Sequence, residues 1–266
     1  MELSGQASVG LRIEARTGGK VGFVTIDNAA KLNALSSLVL LDFVAKIEAC
    51  AADPDLRAVV VTGAGSLAFV GGADISEMAG LTSASARKFI TRVHGCCAVV
   101  RRCPFPVIAR VNGHCYGAGM ELAAACDMRI AGMSARFGMP EVKLGIPSVV
   151  EAAVLPQLIG WGRTRELLLL GETYSAGECA DWGFVERIVA DDALDAEIDK
   201  VLASILACGA NAIRLQKELI ARWETLPLPQ AIATGIDTFA RAYESEEPQK
   251  MMDNFLKEKA ARKAKN

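Results

Sequence analysis

Two glutamates stand in a stretch that is otherwise apolar, residues 107–141, VIARVNGHCYGAGMELAAACDMRIAGMSARFGMPE. Glu121 falls just inside a helical patch that follows the small-residue turn 113–119. Glu141 follows a Gly-Met-Pro turn. A carboxylate buried without a partner is costly, so two of them on a segment that can fold back on itself require a reason. The chemistry open to such groups is proton transfer. Taken singly, each also has a plain structural reading. Glu121 suits the first turn of a helix through the helix dipole, and Glu141 suits a turn residue paired to Arg or Lys.

The elements that must hold these residues can be read from the pattern. Segments 11–15 and 21–27 alternate around Gly18-Gly19 as a β-hairpin does. Ser36 is an N-cap candidate for a helix reaching Ala52, where Asp53-Pro54 stops it, and residues 57–62 read as a strand bounded by Gly63. That β-α-β rhythm favours a layered α/β architecture. The FVGGADI segment (69–75) reads as a glycine-containing loop feeding a short helix. It is followed by a helix over 83–102 and a strand over 107–111. Residues 120–126 read as a helix and 127–131 as a second strand. Helical patterns then occupy 149–160, 163–170 and 175–182, and 184–189 reads as a last strand. From residue 192 the chain is helix-compatible, with breaks near Gly209 and LPLP at 226–229. The change of composition divides an α/β core, 1–190, from a helical region, 191–266.

Composition narrows the function classes. With 266 residues, 52% hydrophobic and 23% charged, the chain can bury a large core. A net charge of -2 and a pI near 5.8 offer no general attraction to nucleic acid or anionic membrane. No apolar run is long enough to span a bilayer, and MELSGQASVG lacks the charged and apolar regions of a secretory signal. The eight cysteines form no C-x-x-C pair and only His94 and His114 could join them, so the expectation is buried free thiols in a reducing, cytoplasmic setting and no metal site. Segment 70–73 lacks the spacing of a nucleotide-phosphate loop. His114 reads as a loop residue outside the chemistry.

Seven motifs now stand in order: KLNAL (31–35), FVGGADI (69–75), VNG (111–113), GAGMEL (117–122), CD (126–127), FGMPE (137–141) and LGIP (144–147). In this order they resemble the enoyl-CoA hydratase/isomerase (crotonase) superfamily, from about residue 10 to the end. The resemblance implies an α/β fold, a spiral of ββα units with a C-terminal helical trimerisation region, as a homotrimer or a hexamer built as a dimer of trimers. It implies an acyl-CoA thioester substrate, with coenzyme A part of the substrate and no separate cofactor. Chemistry beside a thioester builds negative charge on the carbonyl oxygen, which two fixed backbone N–H groups can stabilise. The matching positions here are Ala73 and Ala118. Many relatives have glycine where Ala118 stands, and the added methyl narrows the acyl side.

The glutamates receive roles from the same resemblance. Glu121 and Glu141 would hold the water that adds across an α,β double bond, one ionised and one protonated, as a coupled pair. Lys31, Ala34, Asp74 and Ile75 fall at substrate-side positions, Asp74 reading as an acceptor that fixes its loop. Lys257, in the basic tail 257–265, would reach the CoA phosphate, with a solvated helix end as the plain alternative. One segment departs from the family pattern. After LGIP, hydratases commonly have a glycine-rich turn and a Thr-Gln pair, whereas this chain has SVVEAA (148–153). Val149 and Val150 are expected to reshape the pocket wall. Glu151 adds a third carboxylate, either a helix-start residue or a group that alters substrate choice or reaction. The expected reaction is hydration of a 2-enoyl-CoA to a 3-hydroxyacyl-CoA. Its rivals are double-bond isomerisation, for which the Glu141 position commonly suffices, and a non-catalytic RNA-binding role, disfavoured by the acidic pI.

Overall fold

The computed structural model describes residues 7–263; the first six residues of the N-terminal reading and the tail end that includes Lys265 lie outside the described residues. Strands β1 (Ser8–Arg16) and β2 (Gly19–Asp27) form the expected hairpin, each longer than its apolar alternation. Helix α1 (Ser37–Ala52) is capped by the Ser36 side chain, which accepts from the Val39 N–H. Strand β3 (Leu56–Gly63) follows, buried along nearly its whole length as an interior parallel strand must be.

The chain continues through β4 (Ala68–Val70), α2 (Ile75–Met78), α3 (Ser83–Arg102), β5 (Val107–Val111), β6 (His114–Tyr116), α4 (Ala118–Ala125), β7 (Met128–Gly132) and β8 (Arg136–Gly138). Two 3₁₀ turns, Pro140–Leu144 and Val150–Val154, lead into α5 (Leu155–Leu170), then β9 (Thr173–Ser175), α6 (Ala176–Asp181) and β10 (Arg187–Val189). Helices α7 (Leu194–Leu206), α8 (Ala210–Trp223), α9 (Leu228–Ala242) and α10 (Glu247–Lys263) complete it.

A six-stranded sheet runs β1-β2-β3-β5-β7-β10, parallel except for the β1/β2 hairpin, and a smaller sheet runs β4-β6-β8-β9. The smaller sheet corrects the sequence reading, which has loops or turns at β4 and β6 and no strand at β8 or β9. Each of these strands is three residues long, too short to show a period. The helix read over 149–160 is also corrected. The Val150–Val154 turn is 3₁₀, and α5 starts at Leu155 with Pro156 in its first turn. Gly160, at φ 73°, kinks α5 at the point where the sequence pattern breaks into two helical stretches.

The chain forms two compact units, residues 1–202 and 203–266. In the first, α4 is buried at every position and packs on α3 and on the Val150–Val154 turn. Its small residues permit this. A Cβ on Gly119 would lie 2.2 Å from the Val70 carbonyl oxygen, so only glycine lets α4 approach β4 so closely. The buried Arg129 ties this region together, donating to the carbonyls of Phe184, Ala123 and Cys126 and pairing with Glu186. In the second unit α8 packs on α9, and Glu247 accepts from the N–H groups of Asn211 and Ala212 at the start of α8. Seven cysteines are buried and Cys208 is exposed, and none of the eight forms a disulfide. Among the described residues no helix is long and apolar enough to cross a membrane.

Candidate active site

Glu121 sits in the first turn of α4 and is 4% exposed. Glu141 sits in the first turn of the Pro140–Leu144 helix, half-buried. Residues 117 and 141 bring the two elements face to face. A Cβ added to Gly117, whose φ is 51°, would lie 2.5 Å from Glu141 Oε1. The other oxygen of Glu141 accepts from Ser148 Oγ at 2.9 Å. Both glutamates line one cleft of about 630 Å³, including its open mouth.

The environment disfavours charge on this pair. Burial pushes Glu121 up to about 8, the charge of Glu141 adds to it and that of Glu151 adds less, while the backbone N–H groups of Ala152 and Val149 oppose the shift. Glu141 is also raised, chiefly by burial, against its own backbone N–H and the Ser148 hydroxyl. Two like-charged groups in one apolar cleft resist ionising together.

Two backbone N–H groups meet at the same cleft. The Leu35 N–H donates to the Gly72 carbonyl at 2.9 Å, and the Asp74 N–H donates to the Leu35 carbonyl at 3.0 Å. This parallel bridge leaves the Ala73 N–H on the opposite edge. Ala118 is the first residue of α4, where helical geometry gives an N–H no internal acceptor. Ala73 and Ala118 both line the cleft, and among the described residues neither N–H has a bonded acceptor. Such a pair of donors beside two carboxyl groups can hold an oxyanion while protons move nearby.

The walls are apolar. Phe89, Ile90 and Val93 come from α3, Met78 from α2, and Ile146, Pro147 and Val149 from the chain after Glu141. Ile75 and Leu144 also line the cleft and are largely exposed. The remaining residues singled out in the sequence stand elsewhere. Lys31 pairs with Asp74 at 2.9 Å, and Asp74 also accepts from the N–H groups of Ser76 and Glu77. The Lys31 ammonium is the chief cause holding the Asp74 carboxyl below the usual range. Ala34 is half-buried in the loop that carries Lys31 and is not among the lining residues, nor is Lys31 or Asp74. Lys257 is exposed on α10 in the second unit.

Val150 and Glu151 are likewise absent from the cleft lining, while Val149 is part of it. Glu151 lies in the 3₁₀ turn with 6% of its side chain exposed, and its Oε1 is 2.8 Å from His94 Nδ1. His114 lies in β6 rather than in a loop, stacked on Tyr116 outside the cleft. The sequence reading passed over Ser148 as a partner of Glu141, His94 as a partner of Glu151, and the α3 wall. The 89, 90, 93 spacing of apolar residues on α3 carried the signal for the wall. No local signal marks Ser148 or His94.

Comparison with known proteins identifies the family that this chain resembles. Residues 16–264 match the family model described as enoyl-CoA hydratase/isomerase. A crotonyl-CoA hydratase of Syntrophomonas wolfei is 33% identical over 243 residues, 91% of this chain and 94% of that protein. A short-chain-enoyl-CoA hydratase of Clostridium acetobutylicum is 34% identical over 249 residues, 93% of this chain and 95% of that protein. Among solved structures, the enoyl-CoA hydratase from Bacillus anthracis superposes with a TM-score of 0.88 at 29% identity, covering 93% of this chain and 96% of that one.

Proposed function

This chain belongs to the enoyl-CoA hydratase/isomerase family, with the crotonase-like α/β fold, and from that premise we propose that it hydrates a 2-enoyl-CoA thioester to a 3-hydroxyacyl-CoA. The single observation that carries the reading is the meeting of Glu121, Glu141 and the N–H groups of Ala73 and Ala118 at one apolar cleft.

In this reading the thioester carbonyl oxygen accepts from the Ala73 and Ala118 N–H groups. Negative charge grows on that oxygen as the enolate forms, and the two donors stabilise it without reorganising. The positive end of α4 adds to the same effect. A water held between Glu121 and Glu141 loses a proton to the ionised member of the pair as its oxygen bonds to the β-carbon. The protonated member supplies a proton to the α-carbon, so the water is consumed and the pair keeps one proton. The apolar walls exclude competing water and strengthen both interactions. The mechanism calls for no metal or separate cofactor. The Lys31–Asp74 ion pair fixes the loop that carries Ala73. Lys257 contacts the CoA phosphate, and the active assembly is a trimer or a pair of trimers.

The test follows loss of the conjugated enoyl-thioester absorbance with crotonyl-CoA for the wild type, Glu121→Gln and Glu141→Gln. Loss of about 10²-fold or more in both variants is expected for removal of acid–base groups. A wild type without activity on any 2-enoyl thioester refutes hydration. Turnover of a 3-enoyl thioester that survives Glu121→Gln and disappears in Glu141→Gln identifies an isomerase.

A further inference from the structure

Glu151 is the one carboxylate of this region that the mechanism above does not use. Its side chain is 94% buried, its Oε1 meets His94 Nδ1 at 2.8 Å, and its Oε2 is buried with no hydrogen-bond partner. A carboxylate so enclosed needs a counter-group. The Cys97 thiol also hydrogen-bonds Glu151 but carries no charge, which leaves as the paired counter-group the His94 imidazole, itself 55% exposed on α3. The turn that carries Glu151 is held under strain, since Val150, a β-branched residue, stands at φ 39°. The same turn presents the backbone N–H groups of Val149 and Ala152 to Glu121. One face of this turn thus serves Glu121, and the other is anchored in the protein by Glu151 and His94.

Three elements pack against the turn. From α3 come His94 and the thiols of Cys96 and Cys97. Cys97, driven well above the ordinary thiol range by burial first and by the charges of Glu151 and Glu121 next, stays neutral and cannot offset a carboxylate. Cys96, raised to about 12 by burial and Glu151, is neutral too. From α4 comes Glu121, with Glu141 across the cleft. The charged residues of α5 are Arg163, Arg165 and Glu166, all beyond the Gly160 kink, and Arg163 is paired with Glu166. His94 is therefore the hydrogen-bonded group that can balance Glu151.

We infer that Glu151, held by His94, is a positioning residue for the carboxyl pair: it anchors the turn whose N–H groups face Glu121 and places a fixed carboxylate beside that pair. The inference rests on the role of the pair proposed above. It also gives a physical reason for SVVEAA at 148–153, because a glycine-rich turn at these positions would carry no such charge.

The experiment compares wild type, Glu151→Gln and His94→Gln by two readouts. One is the alkaline limb of the kcat profile. The other is titration of Glu121 by carbon-13 NMR of glutamate-labelled protein, its signal assigned by disappearance in Glu121→Gln. Glutamine at 151 keeps the shape and can still bond His94, so a merely structural role leaves both readouts where they are. Loss of the charge moves both toward lower pH, by about half a pH unit or more, a threefold rise in ionised Glu121 at fixed pH. His94→Gln moves them as well, because it removes the side chain that holds Glu151 and its turn against Glu121. Should Glu151→Gln fail to fold, His94→Gln supplies the comparison. An unchanged Glu121 midpoint in the folded variants overturns the inference. A wild type that hydrates nothing overturns the proposed function instead, and the NMR midpoint tells the two failures apart.

Discussion

Gly117→Ala tests whether the position of Glu141 is what the cleft supplies. The new methyl would lie 2.5 Å from Glu141 Oε1, where ordinary contact begins near 3.4 Å. Its other near neighbours are the carboxyl carbon of the same residue, at 3.4 Å, and Gly72 Cα, at 4.0 Å. The atom in the way is the end of a flexible side chain, so the structure yields by moving the carboxylate by about 1 Å, a displacement of the size that costs about 10²-fold in rate. Stability suffers only from placing alanine at φ 51°, about 1–3 kcal/mol. The expected result is a kcat reduced about 100-fold in a protein that melts only a few degrees lower. The assay is crotonyl-CoA hydration with a parallel thermal melt, repeated in a Glu141→Gln background. If the substitution acts through Glu141, the second background shows at most about a threefold further loss, as coupled residues do. A kcat within about threefold of wild type refutes the reasoning, because Glu141 would then tolerate displacement. Equal hundredfold losses in both backgrounds refute it differently, by assigning the effect to the Ala118 N–H beside Gly117.

Two other outcomes follow from the same cleft. Ser148→Ala removes the hydroxyl that donates to Glu141 Oε2, so the ionised form of Glu141 loses support and the acid limb of the kcat profile moves to higher pH, with a rate loss of up to about tenfold below neutrality. An acid limb that stays in place would mean the hydroxyl does not stabilise the charge. Glu121→Gln changes stability with a sign set by linkage. Glu121 is raised from 4.5 to about 8 in the folded protein, so the folded state holds a proton that the unfolded state releases, and stability falls as pH rises between those values. The glutamine variant escapes that loss, and its melting temperature should exceed the wild type's by a growing margin from acid to alkaline pH. A constant margin across the range would show that Glu121 is not titrating there.

The sequence alone determined much of this protein because the relevant physics was local. The Ser36 cap, the β3 strand and the hairpin around Gly18-Gly19 are each written within a few residues, through capping, near-continuous burial and turn chemistry. Glu121 and Glu141 were conspicuous for the same reason, as acids inside apolar sequence. The order of seven motifs identified the family. Tertiary structure decided what local pattern could not carry. Strands of three residues form only because neighbouring strands supply their hydrogen bonds, so β4, β6, β8 and β9 leave no period to read. Val149 faces the cleft and Glu151 faces His94, although two positions separate them, because a 3₁₀ turn under strain at Val150 divides them. His94 and Glu151 are 57 residues apart in the chain and 2.8 Å apart in space. A buried charge chooses its partner from whatever the fold brings within hydrogen-bonding reach, and that choice is made only once α3, α4 and the turn have packed.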